Sequence, residues 1–512
     1  MTTSTAEQGA VVLMHPTDDV VVALRDLRQG DVVSASGVEP VTVATDIPRG
    51  HKVARRALAL GSLIHKYGQV IGVTTAEVGV GDHVHLHNTG MPGRETRVLA
   101  DTHAGTAPVA VRARTFQGIR RPDGRVATRN YIGVLTTVNC SATVARQIAR
   151  RFDPGAGLPL PDGVDGVVAI THASGCGLES SGPGWENLRR TLVGYATHPN
   201  IGGIVAVGLG CEVLTMETFL ADLGLADKPV VSYTIQDAGG TRAAIDMGIE
   251  LCQQLARDIA ATREMVSLSE LVLGLKCGGS DAWSGVTANP VLGYASDAIV
   301  AQGGATILCE MPEIYGAEHL LAARATNQEV ADELIRRIDW WEDYTRGNGA
   351  SLDANPSAGN KAGGITTIVE KSLGAVAKAG TAPLSAVVDY AAPVPTHGLT
   401  IMDTPGYDPV SVTGMVAGGA TLVVFTTGRG SVFGSKPTPT LKLATNSEVA
   451  RRMSGDIDLD CGSILTGTAT IAQLGEELLD LICATASGQQ SRSEELGVGN
   501  EEIVPWQIGA VM

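Results

Sequence analysis

The first hundred residues are a series of short β-branched segments, VVLMHP, DVVVALRDL, EPVTVATDI, SLIHKYGQVIGV and DHVHLHN, broken by Gly, Pro and Asp. Apolar stretches of that length between turn formers predict a small, mostly β module over residues 1–100. The segment ADTHAGTAPVAVRAR has neither helical nor strand periodicity and reads as a linker over 101–114. Beyond it the pattern changes. YIGVLTTV, VDGVVAITH, IGGIVAVGLG and KPVVSYTIQ, followed by the helix-like AAIDMGIELCQQLARDIAATREM, occupy 115–266. ELVLGLKCGG, ATILCEMPE, LTIMDTPG and ATLVVFTTGRG, with the helix-like NQEVADELIRRIDWWEDYTRG and IAQLGEELLDLICATASG, occupy 267–512. Continuous apolar strands alternating with helices belong to sheets covered on both faces. The expected fold is therefore α/β: a small N-terminal β module followed by two α/β domains with largely parallel sheets.

Composition narrows the function classes. There are 38 basic and 54 acidic residues, a formal charge of −16, with no block of either sign. Such a surface repels phosphate backbones, so nucleic acid is not expected as a partner. No apolar run reaches the length of a membrane span, and the N-terminus MTTSTAEQGAVV lacks the basic-then-apolar order of a signal peptide, so a cytoplasmic protein without a membrane partner is expected. A homodimer is the default for a chain of this size. The 8 cysteines contain no CxxC pair and form no disulfide framework, which leaves thiols or metal ligands.

Ligands of parallel sheets gather beyond the carboxyl ends of the strands, and five of the apolar runs end in reactive residues. YIGVLTTV leads into Asn139, Cys140 and Ser141; VVAIT into His172, Ser174 and Cys176; IVAVGLG into Cys211 and Glu212. LVLGL leads into Lys276, Cys277, Ser280 and Asp281, and TLVVF into Thr426, Thr427 and Arg429. Neither GxxxxGKS/T nor a GxGxxG between strand and helix is present, which argues against nucleotide phosphates and against a nicotinamide oxidoreductase. Arg429 within TTGRG suits a carboxylate. In the β module, HVHLHN sets His83, His85 and His87 two apart, on one face if the strand continues, where neutral imidazoles can share a divalent ion. His51, Lys52 and Asn88 could complete a polar pocket there. Ser280, Asp281 and Asn289 in GGSDAWSGVTANP, and Asn355, Asn360 and Lys361 in NPSAGNKAGG, offer short hydrogen-bonding groups of the kind a polyhydroxylated ligand needs. The acids of EMPEIYGAEH, around Glu313, are expected on a solvated helix face.

These motifs resemble the altronate and galactarate dehydratase family of sugar-acid hydro-lyases over nearly the whole chain. The resemblance is carried by DIPRGHKVA, HKYGQVIG and GDHVHLHN in an SAF-like β module, and by RRPDGRVATRNYIGVLTTVNCSA, THASGCG and VGLGCE in the second part. In the third it is carried by LKCGGSDAWSGVTANPVLGYASD, EIYGAEHLL, NPSAGNKAGGITTIVEKSLG, DTPGYDPVSVTG, TTGRGSVFG and KLATNSE. The HxHxHN ending looks like the altronate branch, and Ser435 stands after SVFG where the family's pattern has a cysteine. The resemblance implies dehydration of altronate, or galactarate, to a 2-keto-3-deoxy acid with iron(II), or manganese(II), as cofactor. That chemistry needs C2 proton removal, enediolate stabilisation and loss of the C3 hydroxyl. The candidates are His172 and Lys361 for proton transfer, Arg429 for the carboxylate, and Ser280, Asp281, Asn289 and His51 for the rest of the substrate. His85 and His87 are candidate metal ligands; Cys140, Cys176 and Cys277, with Cys211, are the alternative ligands, as thiolates or, less favoured, of an iron–sulfur cluster. Competing readings are elimination of another β-substituent, such as sulfite from sulfolactate, and non-catalytic binding of a sugar acid.

Overall fold

A computed structural model describes residues 7–37, 39–93, 112–177, 181–224 and 228–509. The linker expected over 101–114 falls, apart from its last three residues, outside the described residues.

The N-terminal segment is built of short strands. An antiparallel sheet in the order Val11–Val12, Val20–Ala23, Lys52–Ala54, His83–Val84 is flanked by two three-stranded sheets. Its apolar residues, among them Val21, Leu27, Val33, Ile47 and Val53, close one core, while Val20, Ala54, Ile64 and Ile71 face the rest of the protein. The HKYGQ motif is a hairpin between Leu63–Lys66 and Gln69–Thr74, turned at Tyr67 and Gly68 with φ of 62° and 69°. Paired positive φ values are the backbone of a tight hairpin turn whose twist matches its strands.

Next comes a four-stranded parallel sheet in the order Gly166–Ile170, Tyr131–Thr136, Ile201–Gly208, Val230–Thr234. Every residue of Tyr131–Thr136 is buried, and alternate residues enter different cores. Ile132 and Val134 meet helices Ala142–Arg150 and Thr241–Asp258, whereas Tyr131 and Leu135 meet helix Gly182–Thr197. The helix-like pattern expected through Met265 stops at Asp258; Glu264–Ser267 is instead a strand paired with Thr115–Arg120, and Met265 is exposed on it.

The third layer is a seven-stranded parallel sheet in the order Leu384–Val388, Gly398–Met402, Ala305–Leu308, Val272–Cys277, Leu422–Thr427, Thr440–Ala444, Leu459–Asp460. Helices Ala288–Ala301 and Ile471–Ala486 cover one face; Asp408–Ala417 covers the other and packs on Gly182–Thr197, so the two sheets share an apolar core. Gly194 permits that approach, because a Cβ there would lie 2.2 Å from the Ala417 carbonyl. In both sheets the chain order reverses between two central neighbours, with the strands that follow one lying on its far side and the strands that follow the other on the opposite side, which leaves a crevice at the carboxyl ends of that pair. Among the described residues no helix is long and apolar enough to cross a membrane.

Candidate functional site

In the seven-stranded sheet the crevice lies between Val272–Cys277 and Leu422–Thr427. Their following loops are stitched together: Gly278 N–H donates to the Thr426 carbonyl (3.0 Å) and Gly428 N–H to that of Gly279 (3.1 Å). Asp281 is buried below, accepting from the Thr445 hydroxyl (2.9 Å), the Ser284 hydroxyl and Trp283 N–H (both 3.1 Å) and the Asn446 amide (3.1 Å). Asn289 is equally committed, donating to the Gly374 carbonyl (2.8 Å) and accepting from Thr426 (2.6 Å). Both therefore shape the floor. Ser280 is buried, and its carbonyl accepts from Asn360 (2.8 Å), which ties the crevice to the helix Ala358–Ala362 that carries half-buried Lys361. Arg429 is exposed at the mouth, its Cβ 3.3 Å from where a side chain on Gly279 would begin.

The β module lays its histidines against this rim. His51 Nε2 is 3.2 Å from the Ala362 carbonyl and its Nδ1 is 2.9 Å from His83 Nε2. The strand expected to carry three histidines ends at Val84, because Asn88 accepts from His85 N–H (2.9 Å) and donates to the His83 carbonyl (3.0 Å), closing a turn. That turn still gathers His83 and His85 around His51, with ligand nitrogens of all three within 4.8 Å of one another, while His87 stays exposed with its ring 5.5 Å from His83. His85 Nδ1 is buried without a hydrogen-bond partner. Burial, reinforced by neighbouring imidazoles and Lys52, pulls His83 down to about 4 and His85 to about 3. Neutral imidazoles with an orphaned nitrogen are a donor set that suits a borderline divalent ion such as iron(II).

Beneath the histidines, Lys52 and Lys66 both reach Glu370 (2.9 Å) and Lys52 also donates to the Gly364 carbonyl (2.7 Å). Burial pulls Lys52 down to about 8; it opposes charge on Lys66 as well, yet Tyr67 and Glu370 carry that lysine above its ordinary value. Lys371, the next residue, points the other way, to Glu313 (2.6 Å) and Asn355 (2.8 Å).

Glu310 and Glu313, expected on a solvated face, are buried. They belong to a cluster in which Lys276 pairs with Glu310 and with Asp408 (2.9 Å), Lys378 donates to Cys277 Sγ (2.7 Å), and Glu313 lies 3.7 Å from that sulfur. The reason is topological: strand Ala305–Leu308 is central, so the residues that follow it enter the interior beside Val272–Cys277. Glu310 has φ +70°, a left-handed conformation uncommon outside glycine, fixed by donation from its N–H to Thr404 Oγ1 (2.8 Å). Burial and then the charge of Glu313 push Glu310 up to about 7; burial would raise Glu313 also, but Lys371, Lys276 and Lys378 hold it low, at about 2. Cys277 thus sits within 4.8 Å of two carboxylates, and burial pushes its thiol up.

The remaining sequence candidates lie on the four-stranded sheet. His172 is buried, lowered to about 4 by burial, with Nδ1 accepting from Ser174 N–H (3.3 Å). Cys140, Cys176 and Cys211 are exposed on the loops after three adjacent strands.

Sequence comparisons agree with this layout. The Altronate/galactarate dehydratase SAF domain matches residues 9–92, the D-galactarate dehydratase/Altronate hydrolase second domain 118–260, and the D-galactarate/Altronate dehydratase C-terminal domain 268–511. The altronate dehydratase of Escherichia coli (strain K12) is 38% identical over 487 residues, and that of Bacillus subtilis (strain 168) 36% over 490, each covering 94% of this chain and 96% of the relative. The chain belongs to the altronate/galactarate dehydratase family. Galactarate dehydratase (L-threo-forming) of Escherichia coli is 34% identical over 508 residues, 96% of both chains.

For a member of the altronate/galactarate dehydratase family, the sequence reading brought forward His51, His85, Lys361, Ser280 and Arg429, which the fold gathers around one rim, and Asp281 and Asn289, which lie in the floor beneath it. It did not single out Lys66, Glu370, Lys371 and Lys378. Their only signal is a lysine or glutamate within an apolar stretch, as in GITTIVEKSLGAVAKAG. Ser435 is buried beside Gly499.

Proposed function

We propose that this protein dehydrates a sugar acid, altronate in the first place, to the 2-keto-3-deoxy acid, at the rim where the β module meets the crevice of the seven-stranded sheet. The observation that carries the reading is the docking of a neutral three-histidine group onto the loop that bears Lys361, next to the loops that bear Ser280 and Arg429. The family's curated relatives act on altronate and galactarate, and their names supply the substrate class.

His51, His83 and His85 would hold iron(II) or manganese(II), which when bound supplies a Lewis acid for the negative charge that grows on the substrate as the C2 proton leaves. Arg429, with a planar fork of donors at the open mouth, binds the carboxylate. Lys361 Nζ, half-buried on the facing helix, holds or hands over a proton at the reacting carbons. Ser280 and the backbone N–H groups of the glycine loops orient hydroxyls, and the Asp281 network keeps those loops in place. The lysine–glutamate clusters beneath fix the rim from inside.

The test is anaerobic turnover of an aldonate and aldarate panel with iron(II) against a chelator-treated control, reading 2-keto-3-deoxy acid. Product from altronate that disappears on chelation, and falls by orders of magnitude in His85→Ala with the fold retained, is expected. Undiminished turnover after chelation, or sulfite release from sulfolactate with no product from any sugar acid, would overturn the reading.

A further inference from the structure

We propose that the carboxyl edge of the four-stranded sheet carries a second metal site, a 4Fe–4S cluster held by Cys140, Cys176 and Cys211. Free cysteine is among the most buried residue types. Here Cys252, Cys277, Cys309 and Cys461 are buried and Cys483 half-buried, while these three alone among the eight are exposed. Their position is not scattered. Tyr131–Thr136 and Ile201–Gly208 are the central pair from which this sheet winds outward, and Gly166–Ile170 is the next neighbour. Cys140, Cys211 and Cys176 follow these three strands, so the three residues lie on the loops at one switch-point crevice.

The loops are held to one another. Asn139 N–H donates to the Ser174 carbonyl (3.0 Å), the Asn139 amide to the His172 carbonyl (3.2 Å), and Val213 N–H to the carbonyl of Cys176 itself (3.0 Å). Glu212 is buried and turned inward, accepting from Leu209, Gly210 and Cys211 N–H (3.1, 2.7 and 2.9 Å) and from the Thr137 hydroxyl (2.5 Å). Its charge is consumed in fixing the Cys211 loop. Helix Ala142–Arg150 begins two residues after Cys140 and anchors its loop. His172 is buried behind the Ser174 loop, its Nδ1 accepting from Ser174 N–H (3.3 Å).

Among the described residues the three thiols are not one of the sets whose ligand atoms close within 4.8 Å, as they would be around a single zinc or iron ion. A cubane, with a separate iron at each ligated corner, takes thiolates from separate loops at wider spacing. Three thiolates leave its fourth iron without a protein ligand, open to an oxygen of a small molecule. The inference does not depend on the sugar-acid reading, since it rests on cysteines that the histidine rim does not use.

The experiment uses the full chain, purified anaerobically and reconstituted with iron(II), iron(III) and sulfide. Iron, acid-labile sulfide, visible absorbance and the electron paramagnetic resonance of the dithionite-reduced protein are read. About four sulfides per chain, with a chromophore lost in each of Cys140→Ser, Cys176→Ser and Cys211→Ser but kept in Cys483→Ser and His85→Ala, is expected. Circular dichroism of the serine variants checks that the fold is intact, which exposed positions favour. Iron bound without sulfide, zinc in its place, or a chromophore that survives the triple serine variant would overturn the proposal.

Discussion

His198 is a polar side chain with both nitrogens committed. Its Nε2–H donates to the Ala420 carbonyl (3.0 Å), joining the two sheets, and its Nδ1 accepts from Asn200 N–H (3.0 Å). The bond at Nδ1 requires the neutral ring, because a protonated Nδ1 cannot accept. Burial lowers its pKa from 6.5 to about 3. The folded value lies below the unfolded one, so this contribution to stability is complete above pH 6.5 and is lost as the pH falls toward 3. The expected slope from this one group is at most about 1.4 kcal/mol per pH unit. Denaturant midpoints measured from pH 7 to pH 4.5 should fall more steeply for the wild type than for His198→Gln. Parallel curves would show that the ring does not titrate on unfolding as its burial implies.

Helix Ile368–Val376 shows what one element does with two successive charges. Thr367 caps it, and Glu370 and Lys371 then face different neighbours, the β module and the Glu310–Glu313 cluster. Glu370 is the only carboxylate paired with Lys52 and Lys66 among the ion pairs of the described residues, and all three are at most 3% exposed. Glu370→Gln leaves two buried ammonium groups without their counter-charge, a change of about 3–5 kcal/mol. Chemical denaturation should show that loss, and limited proteolysis should find the β module cut first. Wild-type stability in this variant would mean the lysines are solvated in a way the structure does not show. The element also marks the limit of the sequence reading. The helices over 328–347 and 471–486 were legible as helix-like stretches, which the structure shows to be capped by Asn327 and Thr470, and the His-rich segment was legible from its spacing. Lys66, Glu370, Lys371 and Lys378 were not, because a buried lysine and a surface lysine are the same letter until the fold supplies a carboxylate. Glu310 and Glu313 were legible as acids but not as interior ones, since only the strand order shows that the segment enters the centre of the sheet.

At the scale of the whole molecule, the proposed site exists only where the β module meets the third layer. The contact is backbone on backbone: Gly50 and Gly364 lie so close that a Cβ on Gly364 would sit 2.3 Å from the Gly50 carbonyl oxygen, and Gly364 has φ +98°. Its carbonyl also accepts from Lys52, the residue after His51. Gly364→Ala must therefore push His51 and its partners off the Lys361 helix. A displacement near 1 Å can cost about 100-fold in rate, so kcat/KM should fall by at least that much, together with iron affinity, while the sheet cores remain folded. Backbone strain by itself would also slow the enzyme if the whole protein were merely weakened. Gly30→Ala is the control, in the same module with φ +89° and nothing within 4 Å of the added carbon. It carries the strain, about 1 kcal/mol, without the collision, and should retain its rate. Equal losses in both variants would place the effect in stability and remove the docking argument. A loss confined to Gly364→Ala would show that the histidines act only when seated on the rim.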